Sequence, residues 1–217
     1  LTYVPREVLL PAYLVRERVR ARFDGDRYYV PPGGSSPTGV LGFVEAAAEL
    51  ARQIDAGELP DPDVVVVPAS SGGTLAGLRI GFDLAGIDAR PVGIGVVERY
   101  IANRYTIARL ATQTATLLAE SPGPYGRSDI DLVGGYLGKG YAEPTAAGER
   151  VTAIAADFGL ELDPTYTAKA VAGIAGEFDD ETVLYWHTLS STRPPQLSRE
   201  AAIERLPDAY RQFLRES

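Results

Sequence analysis

Short continuous apolar runs alternate with longer amphipathic stretches along this chain. The runs at 64–67, 92–97 and 182–187 predict strands, and a shorter one at 28–30 predicts another. The four consecutive valines at 64–67 are typical of a strand buried on both faces, because such a strand needs no polar side. The pattern therefore predicts a sheet that is covered on both sides.

The amphipathic stretches predict helices between these strands. Pro11 interrupts the first of them. Ser36 as N-cap and Pro37 at the first helical position predict the start of the second helix, and Gly57 its end. We expect that helix to present Leu41, Val44, Ala48 and Ala51 on one face. The predicted helices are 6–22, 37–57, 74–84, 100–118, 145–158 and 167–178, with one or two more in 198–215, whereas 121–143 is predicted as mostly loop.

Strands that alternate with helices predict an α/β fold, with three layers and a mostly parallel sheet between helices. Folds of this class bind ligands at the carboxyl ends of their strands. Three loops are predicted there, at 31–36, 68–74 and 187–192. They are the candidate ligand-binding segments.

Composition narrows the chemistry. The 217 residues contain no cysteine and one histidine, His187, which excludes disulfides, thiolate metal sites and multi-histidine metal sites. The net charge of −8 disfavours a nucleic-acid partner. No apolar run has membrane-spanning length and no signal-peptide pattern opens the chain, so we expect a cytoplasmic protein. Methionine is absent and residue 1 is leucine, so we expect the natural start to lie outside this sequence.

The segment after the valine run has the strongest binding signal. Glycines between a strand and a helix let the backbone approach a ligand, and free amides at the helix start favour an anion. The segment fits neither the P-loop nor the Rossmann fingerprint, so a monophosphate fits it better than a nucleotide polyphosphate. A tight turn without a ligand is the alternative. The candidate phosphate-binding residues are Ser70, Ser71, Gly72, Gly73 and Thr74.

Four stretches, in this order, resemble the pyridoxal-phosphate enzymes that include D-cysteine desulfhydrase and 1-aminocyclopropane-1-carboxylate deaminase. They are 29–36 with Gly39, Gly42 and Glu45 after it, 64–77, 140–144, and 162–173 leading into 184–188. The resemblance implies an incomplete tryptophan-synthase-β-like fold, also called type II. It implies that 1–60 are the remainder of a smaller domain with the crossover, and that 61–217 are the larger cofactor-binding domain. It also implies pyridoxal 5'-phosphate, a small amino-acid substrate and a homodimer.

The resemblance supplies roles for matching residues. Ser70 to Thr74 would bind the cofactor phosphate, Tyr166 would sit beside the pyridine ring, and Thr167 would face the pyridine nitrogen. Tyr141 would lie near the substrate, where its hydroxyl could move a proton, so Tyr141 and Tyr166 are the candidate catalytic residues. Each has a structural alternative: Tyr166 as a core aromatic, Thr167 as the N-cap of its helix, and Tyr141 as one of 12 tyrosines.

Thr167 also bears on the reaction. The deaminase branch of the family carries an acid at this position, which would keep the pyridine nitrogen protonated. A threonine hydroxyl offers a neutral hydrogen bond, which makes the ring a weaker electron sink. Such a sink suffices for loss of a β-substituent, so Thr167 favours β-elimination over opening of a cyclopropane ring.

The chain departs from the family pattern at the Schiff-base lysine. The family carries that lysine in an N-terminal segment before a Ser-Asn-His motif, and neither is present here. Lys169 is expected to be a helix-surface or ion-pairing residue, and Lys139 a flexible loop residue. Ala168 replaces a family glycine, and no glycine pair follows His187, which is not expected to act as a base.

Three hypotheses remain open from the sequence. The first is the C-terminal part of a pyridoxal-phosphate lyase or deaminase, completed by a lysine-bearing segment or a separate chain. The second is a non-catalytic protein that binds pyridoxal phosphate or an amino acid on the same fold. The third, a nucleotide-binding α/β domain, has the least support.

Overall fold

A computed structural model describes residues 10–120, 122–192, 198–206 and 211. Its centre is a sheet of four parallel strands in the order β3-β2-β1-β4. The strands are β1 (Val64–Ala69), β2 (Arg90–Gly95), β3 (Asp131–Val133) and β4 (Val183–Tyr185). The predicted parallel α/β sheet is therefore present in the described part of the chain.

Seven α-helices are described. They are α1 (Leu10–Phe23), α2 (Pro37–Asp55), α3 (Gly73–Ala85), α4 (Arg104–Ala115), α5 (Ala146–Asp157), α6 (Thr167–Glu177) and α7 (Arg199–Glu204). Two 3-10 turns, Pro32–Gly34 and Arg127–Asp129, lie in the connections. No helix in the described ranges combines the length and apolar character that a membrane span requires.

Strand β1 has its side chains in two separate hydrophobic clusters. Val65 and Val67 pack on one face with residues of α2, α3 and α4, and Val64 and Val66 pack on the other with Ala170 of α6. All four valines are fully buried. Because alternate residues of a strand point to opposite faces, this division confirms the predicted burial on both sides.

Helices α2 and α3 pack closely because glycines of α3 face α2. A Cβ at Gly81 would overlap the Cβ of Ala47 and lie 2.9 Å from the Val44 carbonyl oxygen. A Cβ at Gly77 would lie 2.9 Å from the Val40 carbonyl oxygen. The core therefore includes α2, and the division into domains at residue 60 stays a proposal.

Several sequence predictions are confirmed with small shifts at the ends. Ser36 caps α2 by accepting a hydrogen bond from the Gly39 amide, and Pro37 begins the helix. The predicted helices at 145–158 and 167–178 correspond to α5 and α6, and the strand at 182–187 to the shorter β4. The buried face of α2 is centred on Val40, Val44, Ala47 and Leu50, with Leu41, Ala48 and Ala51 half-buried beside it.

Other predictions are wrong. Residues 28–30 form no strand, since Tyr28 and Val30 are exposed and two prolines, which cannot donate to a ladder, follow at once. The helix predicted from 100 begins at Arg104, because Asn103 forms a capping box there. Strand β3 was not predicted and lies inside 121–143, the segment predicted as mostly loop. Parts of the first and last predicted helices, 6–9, 207–210 and 212–215, lie outside the described residues.

The parallel arrangement brings the functional loops to one edge of the sheet. The segment from Ser70 follows β1 and the segment from Trp186 follows β4, and these two strands are paired in parallel. Their carboxyl ends therefore meet at the same edge. Helix α6 precedes β4, so the chain must begin α6 at that edge to return to the start of β4.

The glycine contacts of α3 predict opposite effects for two matched substitutions. Gly81→Ala places a methyl group against Ala47 and is expected to lower the free energy of unfolding by about 1–3 kcal/mol. Gly42→Ala, in an open position of α2, is expected to raise it by roughly 0.5–1 kcal/mol. Urea denaturation of both variants measures this. Equal effects of the two would contradict the proposed close packing.

Candidate active site

The predicted phosphate loop connects β1 to α3. The chain turns through Ser70, Ser71 and Gly72, and α3 begins at Gly73. Gly72 has a φ of +84°, and a Cβ there would lie 2.5 Å from Ile107 Cγ1 of α4, so only glycine fits. No side chain caps α3, which leaves its first amides without a side-chain acceptor.

A second loop, 31–36, packs directly on this turn. The Ser35 hydroxyl donates to the Ser71 Oγ at 2.7 Å. A Cβ at Gly73 would lie 2.6 Å from Ser35 Oγ, and a Cβ at Gly33, whose φ is +68°, would overlap Ser71 Oγ. The two loops therefore depend on glycine to approach each other. Ser35 was missed as a site residue, although it lies in one of the three loops that the sequence placed at this edge.

This arrangement suits a phosphate group. Uncapped amides of α3 face the same turn as the hydroxyls of Ser71 and Thr74, which are only partly buried. Amides at a helix start attract an anion both as donors and through the helix dipole. The described residues therefore fit the phosphate of the cofactor that the sequence predicts.

Tyr141 and Tyr166 lie in contact. Their hydroxyls are hydrogen-bonded to each other, and their ring centroids are 5.9 Å apart with the planes at 65°. This hydrogen bond and partial burial raise the pKa of Tyr166 to about 12. Tyr166 is therefore protonated at neutral pH. The structure brings the two candidate catalytic tyrosines together, and Tyr141 is 48% exposed.

Asp163 organises the start of α6. Its carboxylate accepts hydrogen bonds from the amides of Thr165, Tyr166 and Thr167 at 2.8–3.1 Å and from the Thr167 hydroxyl at 2.7 Å. Burial alone would raise the pKa of Asp163, but these hydrogen bonds outweigh it and lower the pKa. Asp163 is therefore the capping group, and Thr167 is the first residue of the helix rather than its N-cap.

Asp163 was also missed by the sequence analysis. Its signal was an acid-proline pair just before a predicted helix start, a position where aspartate commonly caps. The hydrogen bonds of Asp163 determine what Thr167, which is almost fully buried, can bind. Its hydroxyl has two acceptors in Asp163, the carboxylate at 2.7 Å and the carbonyl oxygen at 3.2 Å, and its oxygen accepts from the Asp163 amide at 2.6 Å.

Lys169 does not lie on the helix surface and forms no salt bridge with the described residues, so that prediction is wrong. It is fully buried, and its Nζ donates to the carbonyl oxygens of Leu137 and Gly140 at 2.9 and 3.0 Å. Burial lowers the pKa of Lys169, against the opposing charges of Glu143, Glu98 and Asp163. Lys169 is buried because it lies on the inner face of α6, where its hydrogen bonds hold the segment that leads into Tyr141.

The end of β4 brings further aromatic groups to the same edge. The Tyr185 hydroxyl is buried, and burial and the charge of Asp163 raise the pKa of this phenol, against the opposing effect of the Thr167 side chain beside it. The His187 ring lies against Tyr185 in an edge-to-face contact with centroids 5.5 Å apart. Lys139 is exposed. Neither lysine is a free amine held inside the site.

Comparisons with known proteins agree with this geometry. The profile of a family described as pyridoxal-phosphate dependent enzymes matches residues 10–188. The D-cysteine desulfhydrases of Salmonella newport (strain SL254) and Salmonella heidelberg (strain SL476) are each 35% identical to this chain over 168 residues, which are 74% of this chain and 49% of theirs.

A solved structure is similar as well. It is that of an ACC deaminase homologue, and it superposes with a TM-score of 0.64 at 29% identity, over 84% of this chain and 56% of its own. The chain spans about half the length of the curated relatives that it matches.

The two lysines provide a matched test of the clamp on residues 137–140. Lys169→Met removes the donor to two carbonyls and is expected to lower the free energy of unfolding by roughly 1–3 kcal/mol. Lys139→Met, at an exposed position, is expected to stay within about 0.5 kcal/mol of the parent. Chemical denaturation measures both. Equal stability of the two variants would show that the clamp does not hold the loop.

The tyrosine pair predicts a specific titration. Because the hydrogen bond with Tyr141 is the largest cause of the raised pKa of Tyr166, Tyr141→Phe is expected to move that pKa from about 12 toward the ordinary value of 10. The pair's contribution to stability is full below pH 10 and is lost as the pH rises through 12. NMR of ring-labelled tyrosine follows the titration. An unchanged Tyr166 pKa would contradict the contact, and Tyr100→Phe, at an exposed position, is the control.

Proposed function

Because the chain belongs to the pyridoxal-phosphate dependent enzyme family, we propose that it forms the cofactor-binding part of a lyase or deaminase that acts on a small amino acid. The favoured reaction is β-elimination of the D-cysteine desulfhydrase type, which gives an α-keto acid and ammonia. The observation that carries the proposal is the uncapped start of α3 beside the paired Ser35 and Ser71 hydroxyls.

Family membership and the ACC deaminase homologue confirm the α/β fold class of the tryptophan-synthase-β type. Pyridoxal phosphate is the cofactor of this family. The relatives are named for an enzymatic activity, so the comparisons do not favour the non-catalytic alternative. Which amino acid is the substrate, the location in the cell and the assembly as a homodimer belong to the proposal.

The glycine loop would hold the cofactor phosphate. The amides that begin α3, with the hydroxyls of Ser70, Ser71 and Thr74, would donate to its oxygens. When bound, pyridoxal phosphate supplies an electron-accepting ring that weakens the bonds to the α-carbon of an amino acid. The protein's own contribution is to orient that ring and to move protons beside it.

Thr167 and Asp163 would act together toward the ring nitrogen. A hydroxyl has one proton to donate, and the Asp163 carboxylate already accepts it. Any group that faces Thr167 must compete with this carboxylate for the proton or donate to the hydroxyl oxygen. Because position 167 holds a threonine and not an acid, β-elimination remains the favoured reaction. The negative charge of Asp163 would lie one side chain further from the ring nitrogen than Thr167.

Tyr141 and Tyr166 would serve the substrate side. Tyr166 keeps its proton at neutral pH and is hydrogen-bonded to Tyr141, so the pair is suited to deliver a proton rather than to take one. Lys169 is fixed to two carbonyls and Lys139 is exposed. We therefore propose that the lysine amine on which the reaction depends comes from a polypeptide segment other than these 217 residues or from a second chain.

The reaction is tested on the native protein, purified with every polypeptide that accompanies it and supplied with pyridoxal phosphate. Sulfide and ammonia release from D-cysteine is the expected activity. Tyr141→Phe is expected to lower turnover about 100-fold with the same cofactor requirement. Ser71→Ala is expected to raise the cofactor concentration for half-maximal activity roughly tenfold.

The matched controls are Tyr100→Phe and Ser128→Ala, at exposed positions outside the site, and both are expected to keep parental activity. Absence of any product from D-cysteine and from other small amino acids, by protein that holds the cofactor, would refute the proposed reaction. Parental activity in Tyr141→Phe would refute the role of the tyrosine.

A further inference from the structure

A second cavity lies beside the carboxyl ends of β2 and β3. Its volume is about 650 Å³, and the start of α4 and the 3-10 turn before β3 form two of its walls. None of the residues proposed to bind the cofactor or substrate lines it. The cavity is therefore distinct from the glycine loop and the tyrosine pair.

Three arginines from three different segments line this cavity. Arg99 comes from the loop after β2, Arg104 from the first turn of α4 and Arg127 from the 3-10 turn. None of them is paired with a carboxylate in the part of the chain that the structure describes. Arg104 Nη2 makes one long contact, 3.5 Å, to the Leu132 carbonyl oxygen, which leaves most of its donors open.

Two nearby carboxylates contact groups other than these three arginines. Asp129, in the same turn as Arg127, accepts a hydrogen bond from the Gly126 amide at 2.6 Å. Asp131, at the start of β3, lies 3.6 Å from Arg90. The three guanidinium groups thus have no salt-bridge partner among the described residues, in a protein whose net charge is −8.

The start of α4 adds a weaker attraction. Its capping residue Asn103 accepts from the amides of Tyr105 and Thr106, so these two amides are not free for a ligand. The helix dipole still favours negative charge at this end. The guanidinium groups are therefore the main source of affinity for an anion.

From these observations we propose that the cavity binds a phosphate monoester. Three guanidinium groups that arrive from separate segments suit a tetrahedral dianion, whose oxygens point in several directions, better than a planar carboxylate, which one fork can satisfy. Val97, Leu132 and Leu137 give the cavity an apolar wall for the organic part of the ester. This site does not depend on the reaction proposed above.

The test is calorimetric titration of glycerol 2-phosphate, at fixed ionic strength, into protein that has been loaded with pyridoxal phosphate and then freed of the excess cofactor. Inorganic phosphate is the second probe. Arg104→Gln is expected to weaken binding at least about tenfold, and the double variant Arg99→Gln/Arg127→Gln to abolish it. Arg109→Gln, an equal charge change on α4 outside the cavity, is expected to change affinity less than about twofold.

The variant Ser71→Ala distinguishes binding at the two phosphate sites, because it impairs the glycine loop and leaves the cavity intact. It is expected to bind glycerol 2-phosphate like the parent. Loss of binding in Ser71→Ala with retention in the arginine variants would place the anion in the loop and overturn the proposal. So would an absence of binding in the parent, or malonate binding as tightly as the phosphate compounds.

Backbone amide NMR gives a second readout that does not depend on the heat of binding that calorimetry measures. Amide shifts at Gly134, Gly135 and Tyr105, which line the cavity, are expected on addition of glycerol 2-phosphate. Shifts confined to Gly72 and Gly73 would overturn the proposal. The spectra also show whether each arginine variant is folded.

Discussion

The burial of β1 is the constraint on which the rest of this structure depends. A strand of four buried valines must have neighbours on both edges and helices on both faces, because its backbone and side chains have no contact with water. Parallel pairing with β2 and β4 satisfies the edges, and α2, α3 and α6 contribute to the two faces. One consequence is that the loops with glycines, hydroxyls and aromatic groups meet at a single edge.

Helix α6 positions the second half of the site through buried polar groups. Asp163 accepts hydrogen bonds from three amides and a hydroxyl at the start of the helix. Lys169, on the inner face of the helix, donates to two carbonyl oxygens of the segment before Tyr141. Backbone groups make most of the direct contacts to both charges, amides to the half-buried Asp163 carboxylate and carbonyl oxygens to the buried Lys169 ammonium. The contact between Tyr141 and Tyr166 therefore rests on hydrogen bonds that a change of a single side chain would remove.

The sequence predicted those features of the fold that a few neighbouring residues determine. The valine run, the cap at Ser36 and the glycine turn at Gly72 each have a signature within a few residues, and each is present in the structure. Strand β3 was missed because three half-buried residues at the sheet edge have no recognisable period. The contacts of Ser35 and Lys169 join segments about 30 residues apart, so only the fold could identify them.

The central claim is that the glycine loop is the phosphate site of a pyridoxal-phosphate enzyme. A crystal structure of the protein grown with pyridoxal phosphate tests it most directly. The account predicts the phosphorus atom within hydrogen-bonding reach of the amides that begin α3 and of the Ser71 hydroxyl. Phosphorus bound only among Arg99, Arg104 and Arg127, or pyridoxal phosphate absent from crystals at saturating concentration, would contradict it.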